Sequence, residues 1–326
     1  NYYDEGTPYL YDVNGKSASI LSEIIYENRL KPFTLSTGLN YRFKHIKNDY
    51  TGDAAALTEI NNSTTYAFGE IKGMIRAWQY SFGAGASYIH YRQDTHSYNY
   101  WTFRPKVNLA YVLMQGMQLS YSFQMSDRVS RIAMINDATI RNNSMEWTVG
   151  NPNLKPNRDL EHTMQLAYNN ARLQTDFNVY YKHCIKPNMA LYERTDDNRF
   201  IYTQINQQAI DVLQSYGYAS YWIVPEKLQV TAYGGLYRCF NFGNDYTHCY
   251  TSWFYAGNIV AYLGNFSIVA VADNGNRFLE GENKGYNGGI TALQASYKLH
   301  NWQFKLTWMS PFTPRYKQYE SEILNR

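Results

Sequence analysis

The chain has 326 residues, a formal net charge of +3 and a mean hydropathy of −0.53, enough length for two ordinary soluble domains or one large β architecture. No apolar run reaches the roughly 18 residues of a transmembrane helix, the scattered charge offers no basic block for nucleic acid, and three cysteines are too few for a disulfide scaffold. A membrane crossed by strands stays open, because only every second residue of such a strand is apolar and average hydropathy stays low. Aromatic residues make up 17% of the chain and 33 residues are Tyr, whose apolar ring and polar hydroxyl suit a boundary between hydrocarbon and water. A Tyr-rich soluble sheet protein, such as a propeller, shares that composition.

In chain order, a tight turn is expected at Leu30-Lys31-Pro32, then long polar connections over 46–61 and 93–97. A strand follows with Trp101, Phe103, Pro105, Val107, Leu109 and Tyr111 on one face and Thr102, Arg104, Lys106, Asn108 and Ala110 on the other. After a turn at Met114-Gln115-Gly116, Met117, Leu119, Tyr121, Phe123 and Met125 alternate with Gln118, Ser120, Ser122, Gln124 and Ser126. A long connection over 127–157 leads to a strand over 160–168 and a turn at Asn169-Asn170-Ala171. The next strand sets Leu173, Thr175, Phe177, Val179 and Tyr181 against Gln174, Asp176, Asn178, Tyr180 and Lys182. The stretch 188–224 reads as one strand to about Glu193, an outer turn at Thr195-Asp196-Asp197-Asn198, and a broken strand returning through Tyr218. Beyond a turn at Pro225-Glu226-Lys227, Leu228, Val230, Ala232, Gly234 and Leu236 alternate with Gln229, Thr231, Tyr233, Gly235 and Tyr237. Connections over 243–247 and 273–284 are long, and those at Gly264-Asn265 and His300-Asn301 are tight. Trp302, Phe304, Leu306 and Trp308 close the series opposite Gln303, Lys305 and Thr307.

The alternating segments run to roughly ten residues or more, beyond the five or six usual in soluble sheets. About nine to eleven tilted residues carry a strand across a bilayer. The polar faces hold Lys, Arg, Asp and Gln, which suits a water-filled lumen. Arg104, Lys106, Asp176 and Lys182 are expected to solvate that lumen or to steer a solute through it. Short and long connections alternate, as in outer-membrane barrels with short periplasmic turns and longer outer loops. The fold class expected is all-β, an antiparallel transmembrane β-barrel with about fourteen strands in this chain. An open edge in lipid leaves backbone groups unpaired at high cost. Partner strands must therefore come from the chain's own ends, from further sequence or from another chain.

The run Gly150-Asn151-Pro152-Asn153-Leu154-Lys155-Pro156 resembles an element of the TonB-dependent receptor family, G-N-P-x-L-K-P-E, which follows a long outer loop and starts a descending strand. Asn157 stands where that family commonly has Glu. The Tyr-rich strand around Phe177 is similar to the Bacteroidetes-type outer-membrane β-barrel branch of the family. The resemblance implies a barrel of about 22 strands in a Gram-negative outer membrane, with a plug domain filling its lumen. It further implies a TonB box, TonB as partner, and import of a scarce or bulky nutrient. Neither plug, TonB box nor leader is legible from Asn1-Tyr2-Tyr3-Asp4 onward, and Asn325-Arg326 follow an ascending strand without the family's terminal aromatic. Residues 1–326 are therefore expected to be a barrel domain incomplete at both ends. The residues alone give a plainer reading of the motif: Pro152 and Pro156 hold an extended segment that stiffens the start of a strand without touching a ligand.

No nucleophile elbow, P-loop or metal-ligand spacing of His is present, so no enzyme activity and no cofactor is expected. Cys239 and Cys249 lie symmetrically about Asn244. If 242–247 is a hairpin tip, the two are expected to face each other and form a disulfide on the outer side. A register slip of one residue would instead leave two free thiols, and Cys184 has no partner in view. Tyr98, Tyr100, Trp101, Trp147, Tyr246 and Tyr286 are placed in outer loops, where they either stack on a sugar, chelate or peptide or form an aromatic girdle. The leading reading is a plug-gated importer. The alternatives are a plugless channel and a soluble propeller or adhesin, the latter disfavoured because no fixed-length repeat appears.

Overall fold

The period-two pattern becomes strand wherever it occurs. In a computed structural model that describes residues 10–53, 56–93, 96–128, 139–142, 145–312 and 319–324, every regular element is a β-strand. Fourteen strands form one sheet: β1 (Tyr11–Leu30), β2 (Phe33–Gly52), β3 (Ala56–Ile75), β4 (Trp78–Gln93), β5 (His96–Met114), β6 (Met117–Arg128), β9 (Asn157–Asn169), β10 (Leu173–Ile185), β13 (Ala209–Val224), β14 (Leu228–Phe242), β15 (Thr247–Leu263), β16 (Phe266–Asp273), β19 (Thr291–Leu299) and β20 (Trp302–Met309), hydrogen-bonded in that order. The expected count of about fourteen is thus met. A four-stranded sheet takes β7 (Thr139–Arg141), β8 (Glu146–Val149), β11 (Asn188–Arg194) and β12 (Phe200–Asn206), and a three-stranded sheet takes β17 (Asn276–Glu280), β18 (Asn283–Asn287) and β21 (Tyr319–Ile323). Two compact units result: Asn1–Asn108 with Phe123–Leu160 and Cys184–Ala209, and Leu109–Ser122 with Glu161–His183 and Ile210–Arg326.

Each expected tight turn is found, and a further one joins β3 to β4 at Arg76 and Ala77. Arg76, Glu226 and His300 sit at positive φ of 54°, 62° and 50° to make their turns. The two small sheets connect at the opposite strand ends. There the expected long loops shorten, because β2 pairs with β3 from Phe33↔Gly73 to Tyr50↔Ala56 and both strands run on through the stretch 46–61. A strand that outgrows the bilayer meets water on both faces, so its alternation fades although its pairing persists. Asn188–Asn206 is also corrected. It contributes no strand to the large sheet but a hairpin, β11–β12, which pairs in parallel with β8 through Phe200↔Glu146.

The two faces of the large sheet differ as the pattern requires. Large apolar side chains stand bare on one face, with Trp101 73%, Trp253 68% and Leu306 74% exposed. Their strand neighbours Thr102 and Ser252 are buried on the other. A water-soluble protein rarely displays such a surface. We call this bare face outward and the opposite one inward. The buried apolar residues cluster on the inward side, around Ile46, Ile60 and Tyr91 in the first unit and around Val212, Cys239 and Leu279 in the second.

Candidate functional site

The segment from Gly150 to Pro156 leads into β9 as expected, but it is also docked. Leu154 is 6% exposed and packs with Ile46, Ile60 and Tyr91, with Tyr98 against the cluster. Burying a leucine this way contributes about 1.5–3 kcal/mol. The Tyr98 hydroxyl donates to the Pro152 carbonyl at 2.6 Å and to Asn153 Oδ1 at 3.2 Å. Asn151 Nδ2 donates to the Gln204 carbonyl at 3.0 Å. Asn206 Oδ1 accepts from the Lys155 amide at 2.8 Å, and Asn206 Nδ2 returns a bond to the Lys155 carbonyl at 3.0 Å. The motif therefore ties the inward face of β2–β5 to β12.

The six aromatics lie on three strands and one connection. Tyr98, Tyr100 and Trp101 belong to β5 rather than to a loop. Tyr98 and Tyr100 share the inward face, with ring centroids 6.2 Å apart, and Tyr91 continues the row at 6.1 Å. Trp101 points outward against Tyr88 at 4.9 Å. Trp147 lies in β8, with the guanidinium groups of Arg141 and Arg199 each 6.0 Å from its ring. Tyr246 is in the β14–β15 connection, stacked on His248 at 4.7 Å. Tyr286 lies in β18 beneath Arg277, 4.5 Å from its ring. At the β11–β12 turn, the Thr195 hydroxyl donates to Asp197 and, with Arg199 nearby, holds that carboxyl below its usual range. Of the expected lumen charges, Arg104 lies 4.8 Å over Tyr66 and Asp176 accepts from Asn178, both inward; Lys106 is exposed and Lys182 half-buried.

The expected disulfide is absent. β14 pairs with β15 so that Cys239 faces Tyr250 and Cys249 faces Phe240. Phe242↔Thr247 encloses a four-residue connection, which shifts the register by one residue from the symmetry about Asn244. One residue turns a side chain to the other face. Cys239 is buried inward and Cys249 is exposed outward, and neither they nor Cys184 form a disulfide.

The second unit holds an inward cavity of about 560 Å³ that was not legible as a site. Asp273 ends β16 and accepts from the amides of Gly275 at 2.8 Å and Ile290 at 3.2 Å, closing the base of the β17–β18 hairpin. Asn274 clamps that base to β15, accepting from the Tyr255 amide at 2.8 Å and donating to the Trp253 carbonyl at 3.0 Å. Gly275 has φ of 75°, and a Cβ there would meet the Asn287 carbonyl at 2.2 Å, so the crossing requires glycine. Leu279 then packs on Cys239, whose thiol reaches the Leu279 carbonyl at 3.8 Å, and Asn241 Nδ2 donates to the Gly281 carbonyl at 3.3 Å. The hairpin is thus folded over the inward face of β14. Between them, Tyr233, Tyr237 and Phe254 offer aromatic surfaces, Gln214 and Asn276 offer amides, and Arg277 offers a cation. Such a lining suits holding a solute by stacking and hydrogen bonding. Tyr233 and Tyr237 stand in the sequence as aromatics on an otherwise polar face, a signal that the sequence reading did not connect with a site.

Among solved structures, the chain is similar to the copper transporter OprC, with a TM-score of 0.75 and 13% identity over 94% of this chain and 52% of that one. It is also similar to the FrpB iron transporter from Neisseria meningitidis, with a TM-score of 0.66 and 12% identity over 95% and 53%. A mutant of the ferric enterobactin receptor PfeA from Pseudomonas aeruginosa, in complex with enterobactin, gives a TM-score of 0.63 and 11% identity over 92% and 49%. At these identities the likeness shows the fold, and the chain spans about half the length of each of these structures. No curated protein matches the sequence. A family model described as the outer membrane protein beta-barrel family matches residues 3–326, and the chain belongs to that family.

Proposed function

We propose that residues 1–326 form the barrel portion of an outer-membrane receptor that imports a scarce or bulky nutrient, captured at the outer mouth and released inward by movement of a plug. The observation that carries this reading is the inward cavity under the β17–β18 hairpin, at the strand ends remote from the tight turns. It sits on a sheet whose outward face is apolar and bare. With the tight turns read as periplasmic, the strand ends that carry the cavity are read as outside the cell, which supports capture at the outer mouth. The similar structures include copper and iron transporters and a ferric enterobactin receptor, which supports transport as the task of the fold. The resemblance of Gly150 to Pro156 to a TonB-dependent receptor element supports a plug and TonB as partners. All of β20, and all of β1 but one residue, is exposed on both faces. Unpaired edges are untenable in lipid, which supports the reading that this chain is part of a larger barrel. The cavity's amides, rings and single guanidinium serve binding and passage without bond chemistry.

Planar-bilayer recording of the full protein tests the plug without knowledge of the nutrient. A plug-gated receptor shows no steady pore until a denaturant such as urea displaces the plug. A steady open pore in plain buffer would assign the barrel to a plugless channel.

A further inference from the structure

A second hollow, of about 270 Å³, opens in the first unit beyond the end of β6. Around it stand Tyr100 to Thr102 of β5, the segment that enters β9, and the end of β10. Because it lies at strand ends, both faces of the sheet border it: Tyr100 and Thr102 from the inward face, Trp101 and Ile185 from the outward one.

Three buried polar atoms of its lining make no hydrogen bond. Thr102 is 5% exposed and its hydroxyl has no partner, and neither has the buried hydroxyl of Tyr100. The Asp127 side chain is 5% exposed; Arg158 engages its Oδ1 at 3.1 Å, and Oδ2 is buried without a donor. Folded proteins rarely leave such groups unmatched, and three around one hollow mark a place that a polar ligand completes. Lys155 and Lys186 line the same hollow and are exposed, and among the described residues neither has an acidic partner.

These groups discriminate among ligands. An oxyanion without a proton suits the lysines but offers no donor to Asp127 Oδ2. A neutral sugar donates there but leaves the lysines unmatched. An amine adds a cation where Lys155, Arg158 and Lys186 already outnumber Asp127. A solute that carries both a carboxylate and hydroxyls meets every requirement. Its carboxylate lies against the lysines, one hydroxyl donates to Asp127 Oδ2, and others exchange bonds with Thr102 and Tyr100. We propose that this hollow binds a hydroxylated carboxylate of monosaccharide size, a hexuronic acid, free or at the end of a longer chain. The hollow shares no lining residue with the cavity under β17–β18, so its occupancy does not depend on how that cavity is used or on a plug.

Saturation-transfer NMR of the full protein in detergent, titrated with galacturonate, tests it. Saturable binding is expected, with galactose at least about tenfold weaker. Lys155→Gln/Lys186→Gln is expected to weaken galacturonate about tenfold and to leave galactose unchanged, while Lys155→Arg/Lys186→Arg retains binding. Thr102→Val, which keeps the side-chain shape and removes the hydroxyl, is expected to weaken both sugars. Heat-modifiable mobility on a gel confirms that each variant is folded. Tighter binding of trigalacturonate assigns the chain end as the occupant, and equal or weaker binding assigns the free acid. Absence of saturable galacturonate binding, or unchanged affinity in both the glutamine and the valine variants, overturns the site. Equal affinity for galactose and galacturonate overturns the acid as its ligand.

Discussion

Leu154 illustrates what a single side chain settles in this molecule. It sits on the inward wall with Ile46, Ile60 and Tyr91, and Tyr98 reaches past it to Pro152. Leu154→Ala removes that packing and leaves a void, at a cost of about 2–5 kcal/mol. The expected result is faster amide hydrogen exchange over 150–156, with the large sheet unaffected. Equal exchange in the variant would mean that the prolines alone hold the segment. The cysteines give a second check at this scale. Intact protein is expected to yield three free thiols by mass, with Cys249 reacting readily and Cys184 and Cys239 only after unfolding. A mass two protons short would restore the disulfide. The motif's place before β9 was legible, because prolines and a following dyad pattern act locally. Its partners were not, because Ile46 and Ile60 lie in a stretch where Lys47, Asn48, Asp49 and Thr51 mask the alternation.

Among the elements, strands that cross lipid were the most legible, since hydrocarbon on one side and water on the other enforce strict alternation. In β10, Phe177 is 52% exposed and outward while Asn178 is buried inward, as the pattern assigned them. Phe177→Lys is expected to cost about 2–4 kcal/mol at the middle of the bilayer, read from refolding into lipid vesicles along a denaturant gradient. The matching inward change, Asp176→Lys, is expected to leave stability within about 0.5 kcal/mol. Equal effects on both faces would contradict the assignment. The hairpin β11–β12 was half legible. Its turn at Thr195-Asp196-Asp197-Asn198 was found, but its two strands are seven residues each and carry no period-two pattern that would tell them from short barrel strands. Only tertiary pairing with β8 shows that they leave the sheet. Register at Cys239 failed for a related reason: a loop of four residues and one of three are equally compatible with the sequence, and they place opposite faces together.

At the scale of the whole molecule, the distribution of polarity is inverted relative to a soluble protein. Bare tryptophans and leucines line the outward face, and the sheet's inward face carries polar residues, two small apolar clusters and the cavity under β17–β18. Composition alone left a soluble Tyr-rich sheet open; strand length, face polarity and family membership exclude it. The cavity escaped the sequence because it is assembled from β13, β14, β15 and a hairpin base whose geometry depends on Gly275.

A cysteine scan along β10 tests the central claim most directly. With Cys184, Cys239 and Cys249 replaced by Ala, single cysteines from Thr175 to Tyr180 are labelled with an environment-sensitive fluorophore in protein reconstituted into lipid. The account predicts alternation: labels at Thr175, Phe177 and Val179 are quenched by brominated acyl chains, and labels at Asp176, Asn178 and Tyr180 by aqueous iodide. Uniform quenching by iodide at all six positions would contradict a strand that stands with one face in lipid.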